Sequence, residues 1–130
     1  MQSSQPMLFS AEDRSRFRNL FQEAATLTVT IQSGPPEPHL HIQHPGAGRL
    51  HRLSLALGVG VVLPSRDYAH FEITGVSACL RFLRIVGDDP PFEGEMLRKF
   101  HVWKEMVEYF ERNRSPSVQE IHPFLARIGR

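Results

Sequence analysis

Four of the seven histidines fall between positions 39 and 51: His39, His41, His44 and His51. His39 and His41 belong to an alternating run, Pro38-His39-Leu40-His41-Ile42. Alternation with a period of two predicts a strand over 39–44, which puts both imidazoles on one face with Cβ atoms about 6.6 Å apart. Two imidazoles at that spacing can reach one metal ion, and zinc, iron and copper all accept such ligands. His70, in a second alternating run, is the expected third ligand. A divalent transition metal at His39, His41 and His70 is therefore one expectation. The opposing one is a polar, solvated strand face with no cofactor, because no carboxylate completes the set.

The same residues carry a family resemblance. Pro38-His39-Leu40-His41 resembles the first half of the cupin metal motif. The stretch from Leu57-Gly58-Val59-Gly60-Val61-Val62-Leu63-Pro64 through His70-Phe71-Glu72-Ile73-Thr74-Gly75 is similar to the second half. The resemblance covers about residues 34–86 and implies a metal-dependent enzyme or sensor with His39, His41 and His70 as ligands. The sequence departs from it in four ways, the first being a gap between the two halves shorter than the usual hairpin. Pro45 and Gly46 stand where a glutamate is needed, Arg66 replaces a motif glycine, and His70 is one residue late.

Other chemistry finds little support. Cys79 is the only cysteine and lies in an apolar segment, which predicts an inert buried thiol and excludes an intramolecular disulfide. No serine sits in a Gly-x-Ser-x-Gly turn. Gly58-Val59-Gly60 lacks the third glycine and the following helix of a phosphate loop. Asp88, Asp89, Glu93 and Glu95 have no calcium-loop spacing, and the last two suit a helix N-terminus. No residue is singled out as catalytic.

Nucleic acid is not an expected partner. The net charge is +1, and the basic residues are 13 Arg and 2 Lys. That balance makes no electrostatic case for nucleic acid or an anionic membrane. A nucleic-acid accessory using Arg14, Arg16, Arg18 and the C-terminal tail is the third-ranked reading. Met106 to Gly129 resembles the first helix and the start of the second in a winged helix-turn-helix, but a final helix packed on the core is the preferred reading.

These residues need elements to hold them. Ser10 caps a predicted helix over 11–25, with Phe17, Leu20, Phe21 and Ala24 on one stripe. Residues 1–9 read as a flexible lead-in. Thr26 to Gln32 alternates and predicts a strand. Further strands are expected at 50–57, with Leu53, Leu55 and Leu57 on one face, at 59–63, and at 68–74. Residues 76–86 fit either a helix or a doubly buried strand, and a strand is preferred. Glu95 to Arg112 predicts a long helix with Met96, Phe100, Trp103, Val107 and Phe110 on its apolar stripe. A short helix after Ser117 is distorted at Pro123.

The chain of 130 residues, 41% hydrophobic and 22% charged, fits a single α+β domain spanning 1–130. The expected architecture is a mostly antiparallel curved sheet or small open barrel of five or six strands, with an N-terminal helix and one long plus one short C-terminal helix. No signal segment or membrane-length apolar run is visible, so a cytoplasmic location away from membranes is expected. The leading functional expectation is a small non-enzymatic binding or adaptor protein acting through protein contacts or self-association. Phe100, Trp103, Met106, Val107, Tyr109 and Phe110 are its candidate interface.

Overall fold

The structure, a computed structural model, describes residues 9–31 and 34–129. Helix α1 (Ala11–Ala24) opens on a reciprocal cap. The Ser10 hydroxyl accepts from the Asp13 N–H at 3.0 Å, and the Asp13 carboxylate accepts from the Ser10 N–H at 3.2 Å. The chain then forms β1 (Ala25–Thr30), β2 (Glu37–His44), α2 (Ala47–Leu57), β3 (Val61–Pro64), β4 (Ala69–Thr74), α3 (Val76–Val86), α4 (Gly94–Arg112) and α5 (Val118–Ile128).

The four strands make one open antiparallel sheet in the order β1-β2-β4-β3. Register assigns every side chain to a face, because residues in cross-strand partnership point the same way. Leu27 pairs with Leu40 and Leu40 with Ile73, while Ala25, Ile42, Phe71 and Val62 form the next row. These apolar rows face the helices. Phe21, Phe82 and Trp103, from α1, α3 and α4, meet over them with ring centroids 5.9 and 6.3 Å apart. The Trp103 indole N–H donates to the Thr28 carbonyl at 3.1 Å, tying α4 to the edge strand β1.

Several expectations need correction. There are four described strands, not five or six, and the sheet is open. Residues 50–57 are helical: Leu50, Leu53 and Leu57 are buried while Leu55 is 81% exposed. The Leu53-Leu55-Leu57 alternation imitated a strand, but Gly58 ends a helix there in the left-handed conformation, φ 71°. Residues 76–86 are also helical, with Cys79, Phe82, Leu83 and Val86 buried at helical spacing between Gly75 and Gly87. The first strand is Ala25–Thr30; Gln32, its expected last residue, lies outside the described residues. Of the expected lead-in, residues 1–8 lie outside the described residues. Phe9 is 1% exposed and packs on Phe17 and Phe21. Helix α5 runs through Pro123 without interruption.

The expected interface is core. Phe100, Trp103, Met106, Val107 and Phe110 are all buried, and Tyr109 is half-buried, with its hydroxyl donating to Glu120 on α5 at 2.8 Å. The helix stripe meets sheet and neighbouring helices along its length, so no partner is needed to cover it.

Candidate functional site

Among the described residues, no helix covers the other face of the sheet. The polar positions of the alternating strands line up on it in three rows: Thr28–His39–Thr74, Thr26–His41–Glu72–Val61, and Gln43–His70–Leu63. Thr26, Gln43, Thr74, Val61 and Leu63 are exposed, and the three histidines with Thr28 and Glu72 are half-buried among one another. No Lys or Arg lies in any of the four strands. Sequence reading placed the histidines on this face but passed over Thr26, Thr28, Gln43 and Thr74. The signal for them was the same alternation that located the core.

The structure brings His39, His41 and His70 together. The His39 and His41 rings stand 6.0 Å apart, and those of His41 and His70 5.0 Å apart. His39 Nδ1 shares a hydrogen bond with the Thr74 hydroxyl at 2.8 Å. His41 Nε2 and His70 Nδ1 are also 2.8 Å apart, with ring planes only 22° from parallel. The centroid separation is about equal to that distance plus a ring radius at each end. The two rings therefore meet head-on, one nitrogen donating and the other accepting.

In this arrangement His41 Nε2 and His70 Nδ1 are bonded to each other and not turned toward a common third point. Among the described residues no three His, Cys, Asp or Glu side chains are grouped to hold a metal ion. The cupin resemblance fails on topology as well, since the sheet is open, four-stranded and backed by helices.

Burial, the largest effect, holds both His39 and His41 below the ordinary imidazole value of 6.5. For His41 the neighbouring His70 acts in the same direction, while Glu72 opposes it for both. The unfolded chain regains the ordinary value, so it binds protons first as pH falls. Stability should therefore decline as pH drops below 6.5 toward the folded-state values, and His41→Gln should flatten that decline. Urea midpoints collected across this window check it; a midpoint that rises on acidification would contradict the sign.

The remaining candidates serve the fold. His44 Nδ1 accepts from the Gly46 N–H at 2.8 Å before α2, and His51 is exposed on that helix. The Arg14 guanidinium is buried and donates to the Val86 carbonyl at 3.1 Å, closing the end of α3. Arg16 pairs with Glu12 and Asp13, and Arg18 with Glu93. Burial pushes the Cys79 thiol up to about 12, as the inert reading expected. A groove of about 540 Å³ lies elsewhere, between Gly34–Glu37 and the end of α4. No described helix is long and apolar enough to cross a membrane.

No family model matches the chain. No curated protein matches it either. Solved structures do. The LAGLIDADG meganuclease I-AabMI bound to uncleaved DNA is 10% identical over 86% of this chain, with a TM-score of 0.70. The homing endonuclease I-TnaI is 13% identical over 88%, TM-score 0.66. The archaeal intron-encoded homing endonuclease I-Vdi141I complexed with DNA is 9% identical over 91%, TM-score 0.68. The chain spans 42% of the length of I-AabMI, but 97% and 95% of the other two.

This likeness overturns two expectations: a non-enzymatic adaptor working through protein contacts, and the exclusion of nucleic acid. Helix α4 is committed to the core, and the architecture is one that solved structures hold on DNA. The chain has the fold of the LAGLIDADG homing endonuclease domains.

Proposed function

We propose that this chain is a DNA-binding module that lays the open face of its sheet against duplex DNA. One observation carries the reading. A four-stranded sheet in a fold shared with DNA-bound nucleases leaves a face free of helices and lined by hydrogen-bonding side chains. The major groove is about 12 Å wide and admits a pair of strands. The central strands β2 and β4 fit that description, and strands serve as groove readers in other proteins. Gln43 offers the paired donor and acceptor that suits adenine, and His39, His41, Thr28 and Thr74 can bond base edges or phosphates. Arg66, exposed in the β3–β4 turn, is the candidate phosphate contact.

With so few cations at the face, binding should depend only mildly on salt.

The test is binding of labelled duplex DNA followed by fluorescence anisotropy at several salt concentrations. Gln43→Glu places a fixed negative charge on the face and should weaken binding about tenfold or more, as expected for losing a paired base contact and adding repulsion. Arg66→Ala should weaken all sequences alike and reduce the salt slope by about one. Binding left intact by Gln43→Glu would overturn this use of the face. Preference for single strands or RNA over duplex DNA would overturn the groove reading.

A further inference from the structure

We propose that Glu72 and Val61 together read a cytosine in the major groove. Glu72 accepts from its N4 amino group and Val61 covers its C5 edge, so that the 5-methylated base is bound more tightly. This rests on the DNA-binding reading above and adds which base the face selects.

A carboxylate on this face needs a donor. The four strands contain two acids, Glu37 and Glu72, and no Lys or Arg. Glu37 begins β2 and lies beside Gly75, whereas Glu72 is half-buried in the middle of the face, between His41 and Val61. The nearby histidines are bonded elsewhere, His39 to Thr74 and His41 to His70. Glu72 itself makes no hydrogen bond or salt bridge among the described residues. Phosphates repel such a group, so it suits a DNA face only where a base edge offers it a hydrogen.

Base chemistry narrows the choice. Guanine presents two acceptors to the major groove, and thymine presents an acceptor and a methyl group. Adenine pairs its N6 amino group with an acceptor, N7, which an acceptor-only carboxylate opposes. Cytosine presents the N4 amino group without an acceptor of its own, and the apolar C5 position adjoins it. Val61 supplies the match for that position. It is the direct cross-strand partner of Glu72, which sets the two Cβ atoms about 4.5–5.5 Å apart on one face. Its side chain is 56% exposed, with Leu63 of the same strand also exposed beside it. An acceptor next to aliphatic methyl groups complements an amino group next to C5. A methyl group at C5 adds apolar contact with Val61, while thymine brings the same methyl but sets O4 against the carboxylate. Glu72 therefore selects cytosine, and Val61 senses its methylation.

Repeated selection from a random duplex library, followed by fluorescence anisotropy on the enriched duplexes, tests this. The enriched site should hold cytosine at a fixed position, and replacing that C·G pair by T·A should weaken binding about tenfold or more. Glu72→Gln should move the preference at that position to adenine, because an amide can pair with N6 and N7 together. A purely structural role for Glu72 would lower affinity without moving the preference. With the unaltered protein, 5-methylcytosine at that position should tighten binding about fourfold, as expected of one buried methyl group. Val61→Ser should remove this gain and keep the cytosine. A site without a fixed cytosine, a cytosine preference that survives Glu72→Gln, 5-methylcytosine bound no tighter than cytosine, or a methyl gain that survives Val61→Ser would overturn the paired reading and leave DNA binding standing. Absence of binding to any duplex, with the far-ultraviolet spectrum of the folded protein retained, would overturn both readings.

Discussion

Trp103→Ala is expected to cost about 3–5 kcal/mol, the range for truncating a fully buried large aromatic. The indole is 0% exposed, packs edge-on to Phe82, and donates to the Thr28 carbonyl at 3.1 Å. Removing it leaves a cavity where α3 and α4 meet the sheet, and leaves a backbone acceptor of β1 without that donor. Domains of this size have total stabilities of roughly 5–15 kcal/mol, so the variant should be largely unfolded at modest urea concentrations. Trp103→Phe separates the two contributions. It keeps an aromatic ring against Phe82 and loses the N–H, and should cost about 1–3 kcal/mol. Chemical denaturation of both variants checks the order. A Trp103→Ala protein that unfolds like the parent would mean that the α4 stripe is not the structural spine described above.

Trp103 also shows what the sequence could and could not disclose. The four-and-three spacing of Phe100, Trp103, Val107 and Phe110 identified the helix and its apolar stripe, because a period near 3.6 sustained over 19 residues has no strand counterpart. The same spacing could not say what the stripe meets, and aromatic side chains serve cores and interfaces alike. Short elements were harder. Leu53, Leu55 and Leu57 satisfy a period of two, while Leu50, Leu53 and Leu57 satisfy a helical period. Only the packing of Leu50 into the core, with Leu55 left outside, decides between them. Residues 76–86 offered the same choice, decided by burial of Cys79, Phe82, Leu83 and Val86.

The candidate face was legible in part, for a related reason. Alternation in 39–44 and 68–74 places His39, His41 and His70 on one side of a sheet. It does not place β4 beside β2, which is what brings His70 to His41. The diagonal contact depends on the β2–β4 register, where His41 opposes Glu72 and Gln43 opposes His70. Histidines at that spacing invite a metal reading. The structure shows His41 and His70 hydrogen-bonded to each other at 2.8 Å, and no sequence pattern encodes ring orientation. The absence of lysine and arginine from the strands was also in plain sight. It acquires meaning only once one side of the sheet is known to be open.

Gly60→Ala should be the second strongly destabilising change, and it bears on how the open face is built. Gly60 has φ +101°, a conformation that side-chain-bearing residues rarely adopt. A Cβ there would lie 2.5 Å from the Phe71 ring and 3.2 Å from Ile73, both fully buried and unable to swing aside. The backbone strain is about 1–3 kcal/mol, and overpacking a filled core adds about 1–3 kcal/mol. Gly94→Ala provides the comparison. Its φ is +56°, but nothing lies within 4 Å of an added Cβ, so only the backbone strain should appear. Urea unfolding of the two variants therefore isolates the steric part, and equal losses would show that Phe71 yields after all. Because Gly60 directly precedes β3 and the clash is with β4, relieving it displaces β3 relative to β4. That shift would disturb Val61 and Leu63, which complete the rows beginning at Thr26 and Gln43. Gly60→Ala should then weaken DNA binding even under conditions where the protein remains folded, whereas Gly94→Ala, at the start of α4 and away from the sheet's open side, should not.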